Sequence, residues 1–149
     1  MTVLEGKVDT YPEIVEVLQC HGYEVQEAED AVLLAVITDN GSSLAELQIL
    51  PDGNLIINCE IDQLGNFADD AGQAALTLLW SNAQINPYAV TVLPPADIDD
   101  PDAEDLMVVL TDKVTIADMD PGELVAAVEN LFEAVQIVEE LQFQMQEDV

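Results

Sequence analysis

Residues 31 to 61 constrain the fold more than any other part of the chain. Three runs, "AVLLAVIT" (31–38), "LAELQIL" (44–50) and "NLIINCEI" (54–61), are joined by short connectors that contain "DNGS" and "PDG". The second run puts Ala45, Leu47 and Ile49 on one side and Glu46 and Gln48 on the other. The third does the same with Leu55, Ile57, Cys59 and Ile61. A period of two is the signature of a half-buried strand. The first run is apolar on both faces. Gly41 and Gly53 supply the positive φ that tight hairpins require. The segment therefore predicts an antiparallel meander.

Helices are predicted around it. "TYPEIVEVLQCH" (10–21) starts with Thr10 and Glu13 at capping-box spacing and Pro12 in the first turn, and it ends at Gly22. Ile14, Val17 and Leu18 mark its apolar face. A second helix is expected from Asn66 to Gln84 with Asn66 as cap. Its Ala, Leu and Trp residues spread beyond one stripe, so it is expected to lie centrally or to pack on another subunit. "YAVTVL" (88–93) and "LMVVLT" (106–111) predict two further strands. "DPGEL" opens a long last helix, with Asp120 as cap, Pro121 at its first position and Glu123 closing the box. The predicted class is α+β, in the order α-β-β-β-α-β-β-α: an antiparallel five-stranded sheet with three helices, in a single domain spanning 1–149.

The charge balance excludes several functions. Among 149 residues there are 31 acidic side chains against Lys7 and Lys113, for a net charge of −29, yet half the residues are hydrophobic. That is a folding composition, not a disordered acidic one. Nucleic-acid binding is not expected, because affinity for phosphate comes from Lys and Arg displacing counterions. An anionic membrane surface would repel the chain, and no apolar run reaches the roughly 18 residues of a membrane span. "MTVLEGKVD" lacks the basic and apolar regions of a signal peptide, which predicts a cytoplasmic protein with Cys20 and Cys59 as free thiols.

No catalytic constellation emerges. The stretch "PPADIDDPDAED" (94–105) suggests a calcium loop, but a start at Asp100 puts Asp105 where glycine is needed and Thr111 where the last ligand belongs. It is expected to be a stiffened, solvated connector. His21 is the only histidine; with Cys20 and Cys59 it has no zinc spacing, and no Ser-His-Asp arrangement is recognisable. No cofactor and no metal are expected.

The element order, the small size and the acidity resemble the type III secretion chaperone-like fold. The run "ALTLLWSNAQINPYAVTVLP" is similar to YbjN-like bacterial proteins, as is the closing "DKVTIADMDPGELVAAVENLFEAVQIVEEL". Cyanobacterial members of that family fit at least as well as the secretion chaperones do. The resemblance implies a curved antiparallel sheet with the first and last helices on one face. It also implies a middle helix used for dimerisation, and members that hold partner proteins and catalyse nothing.

The sequence therefore predicts a non-catalytic, chaperone-like protein-binding module that forms a homodimer. Its predicted partner is a protein with a basic segment, steered by the acidic field. The candidate dimer or partner surface is Leu76, Leu79, Trp80 and Tyr88, since large apolar and aromatic side chains anchor interfaces. The alternative is a small acidic enzyme or cation-binding protein without a recognisable motif.

Overall fold

The computed structural model describes residues 8–95, 99–116 and 119–147. Its elements are α1 (Tyr11–Cys20), β1 (Val25–Glu27), β2 (Val32–Thr38), β3 (Gly41–Ile49), β4 (Asn54–Gln63), α2 (Ala71–Ile85), β5 (Ala89–Leu93), β6 (Met107–Thr115) and α3 (Pro121–Glu147). The sheet has six strands in the order β1-β2-β3-β4-β6-β5, and every neighbouring pair is antiparallel.

The meander forms as the glycines predict, with Gly41 at φ 150° and Gly53 at φ 82°. The sixth strand corrects the expected five. The added strand is β1, whose three residues are too short for alternation to show; its pairing of Val25 with Leu34 defines it. The second helix also begins later than Asn66. Residues Leu64–Asn66 form a 3-10 turn, and α2 starts at Ala71, where the Asp70 carboxylate accepts the Gln73 N–H at 3.1 Å. The last strand runs on to Thr115 because β6 pairs with the full length of β4, across an irregularity between Glu60 and Asp62.

The predicted caps of α1 and α3 are in place. Thr10 Oγ1 accepts from the Glu13 N–H at 3.4 Å, and the Asp120 carboxylate accepts from the Glu123 N–H at 2.8 Å. Gly22 takes φ 87° just after α1, the left-handed stop that glycine adopts at least cost.

One sheet face is the core face. Val32, Leu34 and Val36 of β2, Ala45 and Leu47 of β3, Leu55, Ile57 and Cys59 of β4, and Val108 and Leu110 of β6 are buried there. Ile14, Val17 and Leu18 of α1, Ala74 and Leu78 of α2, and Leu124, Val128, Leu131 and Val135 of α3 join them in one cluster. Among the described residues, no helix lies on the opposite sheet face. Leu44 is 57% exposed and Leu93 50%, while Ala45, next to Leu44 on the core face, is fully covered.

The acidic connector is partly ordered by docking. Asp97 lies outside the described residues, but Ala103–Asp105 form a 3-10 turn capped by Asp102. Leu64 N–H donates to Leu106 O at 2.7 Å. A Cβ on Gly65 would come within 2.8 Å of the Glu104 Cβ, so glycine is what lets this loop close on the end of β4. Asp99, Asp100, Asp102, Ala103 and Glu104 stay exposed, so the described part of the connector is solvated, as expected, while it is anchored at its C-terminal end.

Candidate functional site

The register of the sheet assembles the open face. Leu33 stands opposite Glu46, Glu46 opposite Asn58, and Asn58 opposite Thr111, in one row across four strands. The neighbouring row places Ala35 opposite Leu44, then Glu60 opposite Val109 and Val109 opposite Thr91. Leu33, Leu44, Glu46, Asn58, Glu60, Leu93 and Val109 line a trough of about 340 Å³. A second depression of about 360 Å³ beside β1 shares Leu33 and Leu44 and adds Glu24 and Ala35. The two run together into one open groove. Its floor is apolar and the side chains rising through it are carboxylates and an amide.

No basic side chain of the described residues answers those carboxylates. Lys113 projects from β6 on the same face but is paired with Asp52, Nζ to Oδ2 3.2 Å. That bond, with help from Asn54, holds the Asp52 carboxyl below its usual range. Both partners are half exposed, so the pair adds little stability.

A second surface lies on α2. Leu76, Leu79 and Trp80 fall at helical spacing on the side opposite the buried Ala74, Leu78, Ser81 and Ile85, and all three are exposed, Trp80 to 69%. The fifteen residues of α2 contain no charged side chain, in a chain of net charge −29. The structure thus brings Leu76, Leu79 and Trp80 together. Tyr88 does not join them. It is 1% exposed, and its hydroxyl donates to the Ala127 carbonyl of α3 at 2.9 Å. Burial pushes its phenol pKa up, with the Asp112 charge adding to the effect. The expectation of a surface Tyr88 is corrected: it anchors the start of β5 to α3.

The remaining titratable groups do not converge. His21 follows α1 with Nδ1 3.0 Å from Val17 O, a helix-end contact. Cys20 is exposed, whereas Cys59 lies on the core face, where burial pushes its thiol up to about 12. Among the described residues no three His, Cys, Asp or Glu side chains gather as metal ligands would, and no helix is long and apolar enough to cross a membrane.

Among the described residues, Asp112 is the polar misfit of the core face. It stands opposite Ile57; Oδ1 accepts the Lys113 N–H at 2.9 Å, while Oδ2 is buried with no hydrogen-bond partner. Burial raises its pKa. A raised carboxyl pKa means that the folded state holds the proton more tightly than the unfolded chain. Stability therefore falls as pH rises from the ordinary carboxylate range through the raised value, and returns on acidification. Asp112→Asn is expected to stabilise the protein at pH 7 by about 1 kcal/mol, the low end for an unpaired buried acceptor because the residue is partly exposed. Urea midpoints should differ at pH 7 and converge as pH falls through that window. Equal midpoints at pH 7 would show that Asp112 carries no penalty.

No family profile matches the sequence, and no curated protein matches it. Solved structures do match. YbjN, a candidate transcription regulator from E. coli, is 12% identical with a TM-score of 0.59, covering 91% of this chain and 96% of that one. The Yersinia pestis type III secretion chaperone SycH, solved in complex with a stable fragment of YscM2, is 18% identical with a TM-score of 0.53, covering 87% and 99%. An uncharacterized protein from Methanothermobacter thermautotrophicus is 15% identical with a TM-score of 0.55, covering 92% and 96%. The chain has the fold that YbjN and a type III secretion chaperone share.

Proposed function

We propose that this chain is a non-catalytic, chaperone-like protein-binding module of the cytoplasm, active as a homodimer. On this reading, the open sheet face holds a segment of a partner protein that carries basic residues. The observation that carries it is the uncovered sheet face: exposed Leu44 and Leu93 flank a continuous groove that no part of the described chain fills. Exposed apolar patches rimmed by polar groups are where partners dock. The shared fold supports the reading, since SycH was solved with a protein fragment bound. The homodimer is assigned to α2, the one exposed helix face on which two strongly anionic copies can meet without opposing like charges.

The test is a selection of random peptides displayed on phage. Wild-type protein and a Leu44→Ser/Leu93→Ser variant serve as baits; both sites are exposed, so the variant keeps the fold. Enrichment of peptides on the wild type that the variant fails to retain is expected. If no peptide is enriched, or if the variant retains the same set equally well, the open face is not a binding surface and the reading falls.

A further inference from the structure

We infer that the trough selects an extended cationic segment of a partner protein in which an Arg or Lys lies between two apolar residues facing the same way. The inference rests on the protein-binding reading above and names what the groove takes. Its chemistry divides into three zones across the sheet. Leu33, Ala35 and Leu44 form an apolar zone on β2 and β3, and Val109 and Leu93 form another on β6 and β5. Between them Glu46 of β3 and Glu60 of β4 stand as diagonal neighbours, Glu46 directly opposite Asn58 and Glu60 two residues further along.

Diagonal cross-strand neighbours have Cα atoms roughly 7–8 Å apart. Two carboxylates at that separation above an apolar floor repel each other, and the one described cation on this face is engaged with Asp52. A guanidinium or ammonium placed between them removes the repulsion and adds charge-assisted hydrogen bonds. The spacing fits an extended chain. With strands about 4.8 Å apart, Leu44 and Val109, in one row, are about 10 Å from each other, and Leu33 and Leu93, which also lie four residues apart along the strands, are about 23 Å apart. Same-facing residues four apart in an extended segment are about 13 Å apart, at about 3.3 Å per residue, which falls between those limits. The apolar ends would then sit on the two leucine zones with the cation over the glutamates.

The experiment uses the full chain and a fluorescein-labelled peptide built on Leu-Ser-Arg-Ser-Leu, read by fluorescence anisotropy. Leu-Ser-Gln-Ser-Leu removes the charge and Ser-Ser-Arg-Ser-Ser removes the apolar ends. The first peptide is expected to bind, and each control to bind about tenfold more weakly. Glu46→Gln/Glu60→Gln should weaken the first peptide about tenfold, the combined effect of two solvent-accessible charge pairs. Glu16→Gln/Glu129→Gln on the helical layer makes the same change in net charge and should weaken it less than about twofold. The inference is overturned if Ser-Ser-Arg-Ser-Ser binds as well, since the general anionic field would then suffice. It is also overturned if the Glu46/Glu60 variant binds unchanged, or if the peptide does not bind at all. The two readings fail separately. Displayed peptides that lack basic residues, yet depend on Leu44 and Leu93, would leave the module standing and remove the cationic segment.

Discussion

Tyr88→Ala is expected to destabilise the fold by about 3–5 kcal/mol, the range for truncating a large buried aromatic side chain. Tyr88 is among the largest fully buried side chains, and it lies between the end of α2 and the start of β5. Its hydroxyl donates to the Ala127 carbonyl, a contact between residues 39 apart in sequence. Truncation opens a cavity and also releases the tie between β5 and α3. For a chain of this length the melting temperature should fall by on the order of 10 °C. Tyr88→Phe separates the two contributions. It keeps the ring and removes only the hydrogen bond, so a loss of about 1 kcal/mol is expected. Urea denaturation of the three proteins checks this; an Ala variant as stable as the wild type would mean that Tyr88 is not a core anchor.

Trp80→Glu is expected to abolish self-association. In the wild type, sedimentation at high protein concentration and moderate salt should give twice the 16.2 kDa mass of the chain. Salt is needed because each copy carries a net charge of −29, and screening shortens the reach of that repulsion to about 8 Å at physiological ionic strength. A standard interface covers about 800 Å² on each partner, more than Leu76, Leu79 and Trp80 supply, so the flanking Gly72 and Ala83 must also be covered. A carboxylate at position 80 places two like charges near the centre of a symmetric contact and should leave only monomer. Trp80→Phe should retain the dimer. Since Trp80 is the only tryptophan, its emission should shift to the blue as protein concentration rises. A wild type that stays monomeric under these conditions refutes the α2 interface, as does a Trp80→Glu protein that still dimerises.

What the sequence disclosed follows from how local each signal is. Thr10 with Glu13 and Asp120 with Glu123 are caps written within four residues, and Gly41 and Gly53 announce their turns alone; all of these were legible. The start of α2 was less so, because Asn66 and Asp70 both have capping chemistry and only the Gln73 N–H decides between them. β1 exists because β2 pairs with it, a fact outside its own three residues. Tyr88 follows Pro87 next to an exposed helix, and nothing nearby signals that a carbonyl of α3 holds its hydroxyl. The α2 stripe was visible as an excess of apolar residues, and the described residues of the chain leave it uncovered. The trough was hidden most deeply. The 31–38 run showed apolar side chains on both faces, but only the register brings Leu44, Glu46, Glu60, Val109 and Leu93 into one depression with Leu33.

The edges of the sheet decide what kind of grammar such a surface can follow. β1 ends the sheet after three residues, and at the other edge the Val90 N–H of β5 is already taken by the Asn82 side-chain oxygen at 2.7 Å. The trough itself lies over β3, β4 and β6, which are paired within the sheet on both sides, so a segment seated there has no strand backbone to pair with. Backbone pairing is what gives a bound strand its polarity, since parallel and antiparallel ladders differ in hydrogen-bond pattern. Rows of side chains on the open face carry no such arrow. A segment whose pattern is the same read forwards or backwards satisfies them in either orientation. Peptides enriched on this face should therefore include both a sequence and its reversal.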